Sequence, residues 1–216
     1  IGRPLLPVGS IPVTSVITRI RYGPKEQATV TFEDGTCQQI GIADMNSYVS
    51  ESGNPENIKG VLLVDIETPA LGRFKNLRLV DTPGIGSVWK HNTETTASWF
   101  PETGGVLFLF SAERPISENE VELLKEIYQY TPEITIVLTK VDLFSEEKIR
   151  EIELFTAKVL RKTFDQDFPI LRYSAFTDTV EYNSDIEKRC LNPLAHNRNR
   201  VFARILQHKI SSLVDS

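Results

Sequence analysis

Cysteine is scarce in this chain: Cys37 and Cys190 are the only two among 216 residues, and they stand far apart. A disulfide framework is thereby excluded as the organising device, and two free thiols in a reducing compartment are expected. Histidine is equally thin. His91, His196 and His208 have no Cys, Asp or Glu partner at metal-ligand spacing, which argues against a zinc site. An excess of positive charge is missing too. The net charge of −5 and pI near 5.4 give no electrostatic grip on nucleic acid, so no nucleic-acid partner is expected. The longest apolar run, Gly104 to Phe110, is the length of a buried strand and far short of the roughly 20 residues of a membrane span. Repeats and low-complexity tracts are absent. The opening Ile1-Gly2-Arg3-Pro4 reads as mid-domain sequence, with neither an initiator Met nor the pattern of a signal peptide, so the expected setting is cytoplasmic.

What is present suits one α/β domain: 40% hydrophobic and 25% charged residues, enough to bury a sizeable core. Val16 to Arg21 and Ala28 to Phe32 are β-branched runs, and Asp34-Gly35 offers a hairpin turn into Cys37 to Ile40. Asp44 to Ser50 reads as a short helix. Gly60 to Glu67 and Leu77 to Val80 read as strands. Beyond them strand and helix alternate: strand Val106 to Phe110, a helix opened by the Ser117/Glu120 capping box, and strand Ile134 to Leu138. A long helix capped by Ser145 follows, with Ile149, Ile152, Phe155, Val159 and Leu160 expected on one face. Strand Ile170 to Tyr173 comes next. A last helix runs from Arg198 to Val214, with Val201, Ile205, Leu206 and Ile210 on one stripe and Arg198, Arg200, Arg204 and Lys209 on a solvated face. Such alternation predicts a mainly parallel sheet wrapped by helices, with ligands beyond the carboxyl ends of its strands.

Three strand ends carry chemistry. Leu79-Val80-Asp81-Thr82-Pro83-Gly84 delivers a carboxylate able to hold Mg²⁺ beside a nucleotide's phosphates, and a glycine that lets a backbone N–H approach the γ-phosphate. It is also the composition of an ordinary strand-to-turn junction. Thr139-Lys140-Val141-Asp142 follows a buried strand. There an Asp carboxylate can accept both guanine N1–H and the exocyclic amine, a bidentate pair that adenine cannot supply. The lysine stem can lie along the flat base while its ammonium stays wet. Tyr173-Ser174-Ala175-Phe176 can bring backbone amides to the guanine carbonyl.

In this order the three motifs resemble the GTPase superfamily. Within it the chain resembles bacterial-type dynamin-family proteins, through Gly2 to Ser15, Asp81 to Ser87 and Arg114-Pro115-Ile116-Ser117. The 67 positions from Thr14 to Asp81 are far more than a small Ras-like protein uses, and dynamin-type domains fill that interval with additional strands and helices. The resemblance implies a P-loop-NTPase-like three-layer α/β sandwich over residues 1–216. It makes Thr14 the switch threonine, ligating Mg²⁺ together with Asp81 and positioning the attacking water. Gly84, Thr139, Lys140, Asp142, Ser174 and Ala175 would then bind GTP or GDP. It further implies a K⁺ or Na⁺ ion in place of an arginine finger, pairing of two copies across the nucleotide face, and membrane contact through regions outside this chain. The last helix would lead toward a stalk or bundle, and the protein could sit peripherally at the inner membrane face.

One family element has no counterpart here. No G-x-x-x-x-G-K-[ST] occurs in the 216 residues; the resemblance puts it, with its strand and helix, just upstream of Ile1. The expectation is a clipped piece of an intact GTPase, the alternative a pseudo-GTPase scaffold without turnover. The absent loop supplies the lysine and amide cradle for the β and γ phosphates, so the piece alone should bind GTP poorly and hydrolyse it slowly or not at all.

Overall fold

Alternation of apolar and polar residues builds the first sheet. Its strands are β1 (Thr18–Tyr22), β2 (Gln27–Phe32), β3 (Cys37–Ile40), β4 (Val61–Thr68) and β5 (Arg78–Asp81), in the order β3-β2-β4-β1-β5. They belong to a computed structural model that describes residues 5–6, 16–82 and 100–214 and separates into two units, Ile1–Ser98 and Trp99–Ser216. In the first unit β1 and β4 run parallel, and the other three pairs are antiparallel. Ile20, Ala28, Val30, Val64 and Ile66 are buried, as are Met45, Val49, Leu71 and Phe74 in the connections. Cross-strand partners between them are polar. Arg19 lies beside Asp65 and donates from Nε at 2.7 Å; Arg21 and Gln27 both reach the Glu67 carboxylate, at 2.6 and 2.7 Å. The expected Asp-Gly hairpin is there. Gly35 takes φ +82°, which a side chain would disfavour, and Asp34 Oδ1 accepts from Thr36 N at 2.8 Å. A single helical turn, α1 (Asn46–Val49), occupies the expected helical stretch. The buried Asn54 ties the following loop to it, donating to Tyr48 O and accepting from Lys59 N.

The second unit is a parallel sheet, β6 (Val106–Ser111), β7 (Ile134–Thr139) and β8 (Ile170–Tyr173), in the order β6-β7-β8. Every residue of β7 from Ile134 to Leu138 is buried, as a strand covered on both faces requires. Helices α2 (Glu118–Tyr128), α3 (Glu146–Phe164), α4 (Thr179–Ile186), α5 (Asn192–His196) and α6 (Arg198–Val214) accompany it, with a π turn at Glu187–Leu191 between α4 and α5. Phe108, Phe110, Leu124, Ile136, Leu138, Ile149 and Leu160 share one core. Arg172 of β8 clamps α3 by forking onto Glu153 at 2.6 and 2.8 Å and reaching Glu146 at 2.7 Å.

The α/β class expected from the sequence is thus observed, with the antiparallel pairs confined to the Thr14–Asp81 interval that was expected to hold additional strands. Two helix faces differ from expectation. On α3 the buried stripe is Ile149, Ile152, Thr156 and Leu160, and Phe155 is exposed because it falls about 60° beyond the stripe's edge at 100° per residue. On α6 Ile205 is buried and Val201 half-buried, whereas Leu206 and Ile210 are exposed with Phe202. Among the described residues no helix is long and apolar enough to cross a membrane.

Candidate functional site

The register of the parallel sheet decides where loops emerge. Ser111 pairs with Thr139, and Thr139 with Tyr173, so β6, β7 and β8 end on one level. The segments that follow, starting at Ala112, Lys140 and Ser174, therefore leave the same carboxyl edge. Asp142, Ser174 and Ala175 belong to two of these segments.

At the end of β7 the Thr139 hydroxyl donates to Phe110 O at 3.0 Å, and Thr139 O accepts from Ala112 N at 2.9 Å. The threonine thus stitches its strand end to β6. Lys140 turns the chain through the left-handed region, φ 59° and ψ 34°, into the 3₁₀ turn Val141–Leu143. Val141 is buried and anchors that turn. Asp142 is exposed, and among the described residues no hydrogen bond or ion pair engages its carboxylate. A carboxylate held open on a pinned turn is chemically ready for a pair of N–H donors.

Ser174, following β8, is wholly buried. Its Oγ accepts from Phe176 N at 3.0 Å and Thr177 N at 3.1 Å, folding the segment back on itself. Ala175 at the crest is exposed. The serine thus shapes the turn from within, and an outward polar contact would come from the backbone. Phe176 projects beside it, 88% exposed.

The segment leaving β6 contributes a residue that sequence reasoning missed. Glu113 pairs with the Lys140 ammonium and accepts from the Ser111 hydroxyl at 2.8 Å. The Lys140 hydrogen bond, with that of Ser111, holds the Glu113 carboxyl below the usual range. Next to it, Arg114 forks onto Glu120 with both bonds at 2.8 Å, and Glu120 also accepts from Ser117 N at 2.8 Å. Burial pushes the Glu120 carboxyl up, but these bonds outweigh it and leave it lowered. The Arg-Pro-Ile-Ser signature was legible as a motif. The Glu113–Lys140 pair joins segments 27 residues apart, and no local pattern announces it.

In the other unit, Asp81 is the last residue of β5, half-buried and in register with Thr18 of β1. Gly84 and Thr14 lie outside the described residues, so the phosphate-side assignments rest on Asp81 alone. Its carboxylate is a hard oxygen donor of the kind Mg²⁺ takes. Among the described residues no group of three or more His, Cys, Asp or Glu side chains could hold a metal by itself.

Comparison with known proteins gives an independent line. The family model described as "Dynamin family" matches residues 1–141. A Caldicellulosiruptor sp. (strain Rt8B.4) protein described as "Uncharacterized protein in xynA 3'region" is 37% identical over 196 residues, covering 88% of this chain and 49% of that protein. Dynamin-like protein 2 of Campylobacter jejuni subsp. jejuni serotype O:23/36 (strain 81-176) is 27% identical over 167 residues, covering 77% of this chain and 27% of its own length. The chain thus spans at most about half the length of these relatives. Among solved structures, one of an oligomerised bacterial dynamin pair, described as providing a mechanism for the long-range sensing and tethering of membranes, matches with a TM-score of 0.67. It covers 96% of this chain and 43% of that one at 16% identity, a likeness that speaks to the fold alone.

Proposed function

We propose that this chain, which belongs to the dynamin family, reads guanine nucleotides through its parallel sheet and serves a GTPase that hydrolyses GTP to GDP and phosphate. The observation that carries this reading is the unengaged Asp142 carboxylate on a pinned turn, one strand away from the Ser174-Ala175 turn, at the same sheet edge. Asp142 would accept guanine N1–H and the exocyclic amine. The Lys140 stem would flank the base, Thr139 would hold the strand end that carries both, and the Ala175 amide would donate to the guanine carbonyl, with Ser174 shaping its turn.

On the phosphate side, Asp81 and Thr14 would hold Mg²⁺, and the Gly84 amide would meet the γ-phosphate. The metal's contribution when bound is to neutralise charge on the phosphate oxygens. Thr14 would orient the water for in-line attack; a monovalent cation, K⁺ or Na⁺, would offset further charge. Pairing of two copies across the nucleotide face and membrane remodelling through regions outside this chain complete the proposal, with the protein peripheral at the inner membrane face. The family membership and the fold likeness to a membrane-tethering dynamin pair support these assignments.

The test is nucleotide preference in the full-length protein. Asp142→Asn exchanges an acceptor for a donor, so binding and hydrolysis should move from GTP toward xanthosine triphosphate by about 100-fold or more in relative preference. An unchanged preference would refute the base site. Xanthosine switching in binding with no turnover of GTP by the wild type would leave a nucleotide-binding scaffold.

A further inference from the structure

The Lys140–Glu113 pair is hard to explain as a stabilising contact. Both side chains are about half exposed, 54% and 48%, and ion pairs of that kind contribute little to folding. Its construction is nevertheless specific. The carboxylate of Glu113 is fixed from below by the Ser111 hydroxyl, and its own N–H donates to the same oxygen at 3.2 Å. The turn that carries it is locked onto α2 by the Arg114 fork to the buried Glu120. On the other side, the Lys140 backbone is held in one conformation, its carbonyl accepting from Leu143 N at 3.3 Å. The lysine is thus fastened at both ends, with only its methylene stem between them.

We propose that Glu113 is a positioning residue for base recognition. By gripping the ammonium it stretches the Lys140 stem into a preformed apolar wall for the purine face. This rests on the reading of Thr139 to Asp142 as the base site. A free lysine would have to give up rotamer freedom each time a base docks, whereas one already ordered meets the base with that entropy loss behind it. Glu113 touches no nucleotide in this account and acts only through Lys140. Because Lys140 and Ser111 hold its carboxyl below the usual range, Glu113 carries the charge for that grip at neutral pH.

The experiment uses the full-length protein and a fluorescent GDP. Glu113→Gln keeps the shape and the acceptor for Ser111 but removes the charge, and should speed GDP release by about two- to fivefold with little change in association. Raising the salt from about 0.05 to about 0.5 M, roughly a threefold shortening of the Debye length, should narrow the gap between wild type and variant. In a Lys140→Met background the Glu113→Gln effect should vanish. Release unchanged in Glu113→Gln would overturn the proposal, and so would a gap that is insensitive to salt or that persists without Lys140. If Asp142→Asn leaves nucleotide preference untouched, it is the base site itself that fails. If Asp142→Asn switches preference while Glu113→Gln is silent, only the positioning role is lost.

Discussion

The two sheets solve different problems with different sequences. In the mixed sheet, burial alternates along β1, β2 and β4 from Val64 on: β2 buries Ala28 and Val30 in alternation with half-buried Gln27 and Thr29, and Arg19–Asp65 and Arg21–Glu67 pair across β1 and β4. In the parallel sheet, β7 buries five consecutive residues, Thr135 among them, and its one partly exposed residue, Thr139, stands at the carboxyl edge. The first arrangement spreads polar chemistry along the strands, while the second concentrates it where three segments emerge together. That is why base-reading candidates gather in the parallel sheet, whereas Asp81 is the last residue of β5 in the other unit.

Adjacent positions test this difference most strongly. In β7, Val137 and Leu138 point to opposite faces and are both buried, so both should be costly to truncate. Leu138→Ala should lose about 2–5 kcal/mol and Val137→Ala about 1–3 kcal/mol in urea unfolding. In β4 the neighbours Val64 and Asp65 should split: Val64→Ala costs about 1–3 kcal/mol, whereas Asp65→Asn costs under about 1 kcal/mol because its ion pair is partly exposed. Equal costs at Val64 and Asp65 would break the comparison. A smaller effect concerns acid. The lowered Glu120 carboxyl contributes stability above the ordinary glutamate range that is lost as pH falls through its depressed folded value. Unfolding midpoints followed from pH 7 to 3 should therefore fall less steeply in Glu120→Gln than in wild type. One expected change is a gain. The Thr156 hydroxyl is wholly buried on α3 and has no hydrogen-bond partner among the described residues. Thr156→Val should raise stability by about 1 kcal/mol, read as a higher melting temperature.

Much of the fold could be read in advance because its signals are local. The Asp34-Gly35 turn, the Ser117/Glu120 capping box, the unbroken apolar run at Val106 and the Ile134–Leu138 strand with its single threonine each specify their element within a few residues. The order of strands in the mixed sheet could not be read, since the parallel pairing of β1 with β4 joins residues 46 apart. The segment Thr179–His196, over which no element is read from the sequence, folds as two short helices around a π turn. At the candidate site, the residues that would face a ligand were legible as motifs. Their supports were not: the Glu113–Lys140 pair and the Thr139 stitch join residues 27 and 29 apart that the sheet register brings together, and the Arg114 fork depends on how the turn before α2 folds back.

Lys140 sits where an L side chain is poorly accommodated. A backbone near φ 59° and ψ 34° disfavours a lysine by about 1–2 kcal/mol, a cost that glycine avoids. The residue best suited to the backbone there would have no stem to lay against a base. Selection for thermal robustness and selection for ligand recognition therefore pull this one position in opposite directions. A library screened only for folding should drift toward glycine at residue 140, and one screened for nucleotide retention should keep the lysine.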